Sequence, residues 1–183
     1  GRGERLLPLT QHRAKPAVPF GGKYRIIDVT LSNCLNSGLR KIAVLIQYKS
    51  HSLDRHIRRG WSIFNPELGE FIFSIPPQQR INAEWYRGTA DAVHQNLFLL
   101  EQEHPKFLLV LAGDHLYKMN YADMLRFMQK TEADAVVGAL EWPVKEAQQF
   151  GVLGVDPSNR VTRFEEKPAN PFHLPDDPMH AFI

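Results

Sequence analysis

Two glycines and a run of cations open the chain. In "GRGERL", Gly1 and Gly3 carry no Cβ to keep an anion away from the backbone N–H groups, and Arg5 adds a forked donor that is always charged. That chemistry suits phosphate oxygens. The spacing is not the dinucleotide fingerprint, which needs a third glycine, nor a P-loop, which needs G-K-[ST] after four residues. Taken alone, a GxG followed by arginine also describes a plain turn. The continuation "RAKPAVPFGGKYR" adds Arg13, Lys15, Lys23 and Arg25, with prolines fixing the backbone between them. A simply solvated basic face does not combine a fixed backbone with so many spaced cations, so the balance moves toward an anion site.

Such loops need a scaffold, and the apolar pattern supplies one. "KIAVLIQ" (41–47) and "KFLLVLAG" (106–113) are nearly continuous apolar runs closed by turn residues, the pattern of strands buried on both faces of a parallel sheet. "DAVVGAL" from Asp134 reads the same way. "IIDVTLSNCLNSGL" predicts an amphipathic helix stopped at Gly38. "TADAVHQNLFLLEQE" places Val93, Leu97 and Leu100 at helical spacing behind Thr89 as N-cap, and "YADMLRFMQKTEA" puts Met124, Leu125 and Met128 on one face. "NRVTRFEEKP" predicts a later, more exposed strand closed by Pro168, and the tail from Pro168 to Pro178 reads as a loop or linker. Helix–strand alternation of this kind implies an α/β fold with a doubly wound sheet. Ligands of such sheets bind beyond the carboxyl ends of the strands, which singles out the opening loop, the loop after Gln47, "GDH" (113–115) and "EEKP" (165–168).

Composition excludes several classes. With 183 residues, 43% hydrophobic and 23% charged, the chain is an ordinary globular sequence with room for one sizeable core. The formal charge of +2 is spread among acids, without the basic stripe of a nucleic-acid binder. One cysteine, Cys34, excludes an internal disulfide and a cysteine-rich zinc site and suits a reducing, cytoplasmic compartment. No apolar run approaches the roughly 18 residues needed to span a bilayer, so no membrane role is expected.

The segments "GRGERLLPLTQHRAKPAVPFGGKYRIIDVTLSNCLNSG", "QYKSHSLDRHI", "WYRGTADAV", "LAGDHLYKMNY", "FGVLGVD" and "FEEKPANP" resemble, in order, the ADP-glucose pyrophosphorylase (glucose-1-phosphate adenylyltransferase) family of bacterial glycogen biosynthesis. The resemblance runs through essentially the whole chain. It implies an α/β, Rossmann-like nucleotide-diphospho-sugar transferase domain with a mostly parallel sheet. The family signature starts with a buried strand and an extra glycine ahead of the position of Gly1. Residues 1–183 are therefore expected to be a partial nucleotidyltransferase (catalytic) domain, lacking the first strand, its C-terminal part and the family's left-handed β-helix domain.

The implied reaction is adenylyl transfer from ATP to α-D-glucose 1-phosphate, giving ADP-glucose and pyrophosphate. The attacking phosphate oxygen is already anionic, so no general base is needed. Catalysis then consists of aligning two mutually repelling anions and neutralising charge. By resemblance, Gly1, Gly3 and Arg5 cradle the triphosphate, Lys15 bridges phosphates, and Asp114 holds Mg²⁺ against phosphate oxygens. Gln79 and Gly88 belong to the adenine side of the ATP site. Tyr86, Gly151, Glu166 and Lys167 match the glucose 1-phosphate contacts. By the same resemblance, the family's second metal-binding aspartate is expected beyond Ile183.

His12, Arg13 and Arg25 match effector-site cations for sugar-phosphate or AMP-type effectors, and Gln47 and Trp85 match the relay of the activator signal. His12 stands where enteric-type members carry a lysine tied to fructose 1,6-bisphosphate activation, so activator affinity or identity is expected to differ. The family also implies an allosteric homotetramer for the intact protein. Two rivals share many of these residues: a sugar-1-phosphate nucleotidyltransferase using UTP or dTTP, and a nucleotide- or effector-binding fragment or regulatory subunit without turnover. "RAKPAVPFGG" and "WYRGTADAV" speak against the first. Arg5, Lys15, Asp114 and Lys167 together speak against a purely regulatory copy, which has no chemical need of all four.

Overall fold

The stretch beginning "IIDVTLSNC" forms helix α1 (Ile26–Asn36), and Gly38, at φ 81°, follows its C-cap Ser37. Glycine takes that left-handed backbone without a Cβ penalty, as the sequence pattern requires. The computed structural model describes residues 3–77 and 86–183. They fall into two units, Gly1–Leu125 and Arg126–Ile183.

In the first unit, β1 (Pro19–Phe20) and β2 (Tyr24–Arg25) form a short antiparallel ribbon that leads into α1. The apolar run from Lys41 becomes β3 (Lys41–Leu45), which pairs in parallel with β4 (Phe71–Ile75) in a register running from Lys41↔Phe71 to Leu45↔Ile75. A parallel pair needs a crossover, and helix α2 (His51–Gly60) lies in the connection. Ile27 and Leu31 of α1, Leu53 and Ile57 of α2, and Ala17, Ile46 and Trp61 make the buried core, against which Ile42, Val44 and Ile72 of the strands pack. A carboxylate is buried beside this core. Asp28 accepts a bond from Trp61 Nε1 at 2.8 Å, pairs with His56 Nε2 at 2.8 Å, and takes the Arg25 N–H on its other oxygen at 2.8 Å. Those partners make its burial tolerable and tie α1 to α2.

The rest of the unit departs from the sequence pattern in two places. The apolar run at 106–113 is extended but joins no ladder among the described residues; Leu108 is 52% and Val110 62% exposed, where burial on both faces was expected. Composition reports apolar character, whereas pairing is decided by which strand stands alongside, and β3 pairs with β4 alone among the described residues. The helix expected over 89–103 is two helices, α3 (Thr89–Gln95) and α4 (Leu97–Glu103), with Gly88 rather than Thr89 at the N-cap. Asn96 divides them. Its Nδ2 donates to the Ala92 carbonyl at 2.7 Å and to the Tyr86 hydroxyl at 2.9 Å, so its side chain competes with regular helical bonding. Helix α5 (Tyr121–Thr131) forms where the pattern puts it.

The second unit carries an antiparallel sheet of β5 (Glu141–Pro143), β6 (Gly151–Val155), β7 (Val161–Glu166) and β8 (His180–Phe182), in the order β5-β8-β6-β7. Ala147, Val152 and Ala181 form its buried centre, with Val144, Phe172 and Ile183 around them. Strand β7 is exposed along its length and ends before Lys167 and Pro168, as the sequence suggests. The strand expected from Asp134 is not one: Leu140 only exchanges backbone bonds with Ile183, at 3.0 and 2.9 Å, and Val137 and Leu140 stay exposed.

Candidate active site

The opening loop is built around one buried hydroxyl. Gly3 sits in the left-handed region at φ 68°, ψ 27°, ahead of a short 3-10 turn over Glu4–Leu6 that holds the exposed Arg5. Thr10, fully buried, donates from Oγ1 to the Gly3 carbonyl at 2.7 Å. A Cβ on Gly3 would stand 3.0 Å from Thr10 Cγ2 and 3.6 Å from Lys15 Cβ, so glycine is needed both for the dihedral and for the close approach. The loop therefore runs alongside Lys15, which begins a second 3-10 turn, Lys15–Ala17.

From that turn Lys15 Nζ reaches Asp114 Oδ2 at 2.8 Å. Asp114 follows Gly113, whose Cα faces Ile27 of α1 and Pro16. Segment 106–113 is thus held against α1 at its end, and Thr30 Oγ1 donates to the Ala112 carbonyl at 3.3 Å. The glycine loop and the lysine of the opening segment meet an aspartate from far along the chain. Among the described residues no group of three or more His, Cys, Asp or Glu gathers as a ready metal cage. Asp114 is a half-exposed carboxylate beside the Lys15 ammonium. That donor set fits Mg²⁺, which is bound through one or two carboxylates together with substrate phosphates and retained waters.

Tyr86 is buried; its carbonyl accepts from Gln47 Nε2 at 2.8 Å and its hydroxyl from Asn96. The phenol oxygen is thus held as an acceptor, with its O–H left to donate. The residues expected as a sugar-phosphate contact and as a relay are brought together here. Gly88 has extended backbone that any residue adopts, and among the described residues nothing stands within 4 Å of where a Cβ would be, so none of them demands glycine there.

The expected effector cations lie on the same unit. Arg25 donates from one guanidinium nitrogen to the Ala17 carbonyl and to Ser52 Oγ, each at 2.8 Å. Burial, followed by the nearby guanidinia of Arg13 and Arg55, pulls its pKa below the ordinary arginine value. His12 and Arg13 line a shallow depression of about 330 Å³ with Pro8, Leu9 and Pro19.

In the second unit, Gly151 pairs with Glu166 across β6 and β7. A Cβ on Gly151 would fall 2.6 Å from Phe164 Cε2 and 3.1 Å from Glu166 Oε2. Lys167, in the left-handed region at φ 50°, donates its N–H to the Phe150 carbonyl at 2.9 Å, and its Nζ is 3.4 Å from Glu166 Oε1. Three of the four expected hexose-phosphate residues, Gly151, Glu166 and Lys167, stand at one end of this strand pair. Gly1, Gln79 and Trp85 lie outside the described residues.

Sequence reasoning passed over Thr10, Lys49, Ser52 and the Asp28–His56–Trp61 network. Only Asp28 carried a signal, its place three residues after Arg25, where an acidic side chain can bond back to the backbone at a helix start.

A glycine loop beside a lysine and a carboxylate, on an α/β frame, is the equipment of a protein that handles nucleoside phosphates. Residues 1–174 match the family model described as nucleotidyl transferase, and the chain belongs to that family. It is 60% identical over 183 residues to glucose-1-phosphate adenylyltransferase 2 of Vibrio vulnificus (strain YJ016), covering 100% of this chain and 45% of the relative. It is 58% identical over 181 residues to glucose-1-phosphate adenylyltransferase of Methylobacillus flagellatus, covering 99% and 42%. The enzyme of that name from Rhodopirellula baltica is 59% identical over 179 residues, covering 97% and 40%. The chain spans less than half the length of these curated relatives.

Proposed function

We propose that the protein carries out adenylyl transfer from ATP to α-D-glucose 1-phosphate, with ADP-glucose and pyrophosphate as products. The observation that carries this reading is the meeting of Gly3, Lys15 and Asp114, with Lys15 Nζ 2.8 Å from Asp114 Oδ2. The relatives at 54–60% identity are named glucose-1-phosphate adenylyltransferases, and that name supplies the nucleotide and the sugar.

In this reading Gly1, Gly3 and Arg5 receive the triphosphate, and Arg5 neutralises charge that moves to the leaving pyrophosphate. Lys15 binds the same phosphates as a point charge. Gln79 and Gly88 face the base; Tyr86, Gly151, Glu166 and Lys167 take the hexose phosphate. The Tyr86 hydroxyl, which accepts from Asn96, keeps its own O–H to donate. Asp114 would hold Mg²⁺, which when bound lowers the repulsion between the two phosphorylated substrates. The work left to the protein is alignment, because the phosphate oxygen of the sugar needs no base to attack. His12, Arg13 and Arg25 form the effector side for a sugar-phosphate or AMP-type ligand, Gln47 and Trp85 relay its signal, and the intact protein is a cytoplasmic homotetramer serving glycogen synthesis.

The test is a nucleotide panel. The chain is incubated with glucose 1-phosphate, MgCl₂ and ATP, UTP or dTTP, and nucleotide sugars are separated by chromatography. ADP-glucose formed from ATP, with far less product from UTP or dTTP, is the expected result. Preferential UDP- or dTDP-glucose formation overturns the nucleotide assignment. Thermal stabilisation by Mg·ATP with no product from any nucleotide replaces turnover by binding alone.

A further inference from the structure

Lys49 adopts a backbone that lysine rarely takes. At φ 47° it lies in the left-handed region, where glycine would be unstrained and a side chain costs energy. Strain of this kind persists where the surroundings over-determine it, and it gathers at working sites. The side chain reports what the surroundings are. Lys49 Nζ donates to the Thr10 carbonyl at 2.9 Å and lies 5.1 Å from the centroid of the Tyr48 ring. Thr10 is the fully buried residue whose hydroxyl holds the Gly3 carbonyl at 2.7 Å. Two residues before Lys49, Gln47 holds the Tyr86 carbonyl at 2.8 Å.

We infer that Lys49 is a positioning residue for the glycine loop. It fixes Thr10, Thr10 fixes Gly3, and the left-handed turn at Lys49 is what aims its ammonium at that carbonyl. The short loop after β3 then holds two substrate-facing segments at once, the triphosphate loop through Lys49 and the Tyr86 segment through Gln47. The role assigned to Lys49 rests on the reading of Gly3 and Lys15 as the triphosphate side.

Lys49→Gly separates the two contributions of the residue. It relieves the backbone strain and removes the bond to Thr10, so stability and positioning should move in different directions. Titration calorimetry of the chain with Mg·ATP and with glucose 1-phosphate, alongside thermal unfolding, reads both. In Lys49→Gly, Mg·ATP affinity is expected to fall about fivefold, in line with loss of one charge-assisted hydrogen bond at a half-buried site. Glucose 1-phosphate affinity and melting temperature hold or rise. Lys49→Arg, which keeps a donor of similar reach, stays within about twofold of the unaltered protein for Mg·ATP. Unchanged Mg·ATP affinity in Lys49→Gly overturns the inference. So does a parallel loss of both affinities together with a lower melting temperature, which marks a purely structural lysine. Failure of the unaltered chain to bind Mg·ATP overturns the underlying reading of the loop, and the role of Lys49 goes with it.

Discussion

Lys15 and Asp114 are each other's counter-ion, their charged atoms 2.8 Å apart on side chains 37% and 32% exposed. A half-exposed pair of this kind contributes only about 0–1 kcal/mol to folding, because water screens it and two side chains lose freedom to form it. Neutralising either partner, as in Lys15→Met or Asp114→Asn, should therefore shift the melting temperature by less than about 4 °C in a scanning experiment. A loss above about 10 °C would make the pair a structural bond and take it out of the site.

Gly151→Ala puts a methyl group into the space now held by the Phe164 ring and beside Glu166. The Phe164 ring is exposed and can swing outward, so stability should change by less than about 1 kcal/mol. The Glu166 carboxylate has to move with it. Titration with glucose 1-phosphate should show about a tenfold weaker complex, the size expected when one charged contact is lost. Unaltered affinity would remove this end of β6 and β7 from the proposed sugar site.

How far the sequence could be read depends on whether the deciding force was local. Helix α1 and its stop at Gly38 were legible because apolar period and C-cap chemistry both act within a few residues. Strand β3 was legible from its apolar run, and β7 from its ending before a proline. The run at 106–113 has the same composition as β3 and yet joins no ladder among the described residues, since a ladder depends on what stands beside it. Asn96 broke an expected helix through bonds to Ala92 and Tyr86, the second of which sequence pattern does not contain. At the site, the residue types and the loops were legible from glycine, lysine and aspartate chemistry. The Lys15–Asp114 contact, the Thr10 hydroxyl under Gly3 and the left-handed Lys49 were not, because each is made by chain brought together from elsewhere.

Asp54 of α2 gives a pH signature. Its carboxyl is held below the usual carboxylate range chiefly by the hydrogen bond from the Ser74 hydroxyl of β4, with Arg58 adding to the effect. A carboxyl with a depressed folded pKa stabilises the fold above its unfolded value of about 4, and that stabilisation drains away as the pH falls through the lower folded value. The unaltered chain should melt higher than Asp54→Asn at pH 6, with the gap closing toward pH 3. A gap independent of pH would contradict the assignment.

Cys34 sits buried on α1, and burial pushes its thiol up to about 11. The reactive thiolate is then scarce at pH 8 and shielded as well. A thiol reagent at pH 8 should label Cys34 only at the rate of unfolding, and promptly once denaturant is added. Fast labelling of the native chain would show that α1 opens where its packing says it is closed.

The central claim is that Lys15 and Asp114 serve one ligand, a nucleoside triphosphate with its divalent cation. The most direct measurement is a double-mutant cycle of ATP affinity for the unaltered chain, Lys15→Met, Asp114→Asn and the pair together, each titrated with MgCl₂ and with chelator. In chelator, Asp114→Asn should tighten ATP binding several-fold in the Lys15 background, because the lysine is released to the phosphates, and much less in the Lys15→Met background. With MgCl₂ the same substitution should weaken binding. Additive effects in both conditions, or an Asp114→Asn response indifferent to MgCl₂, would show that the two side chains act separately and would contradict the account.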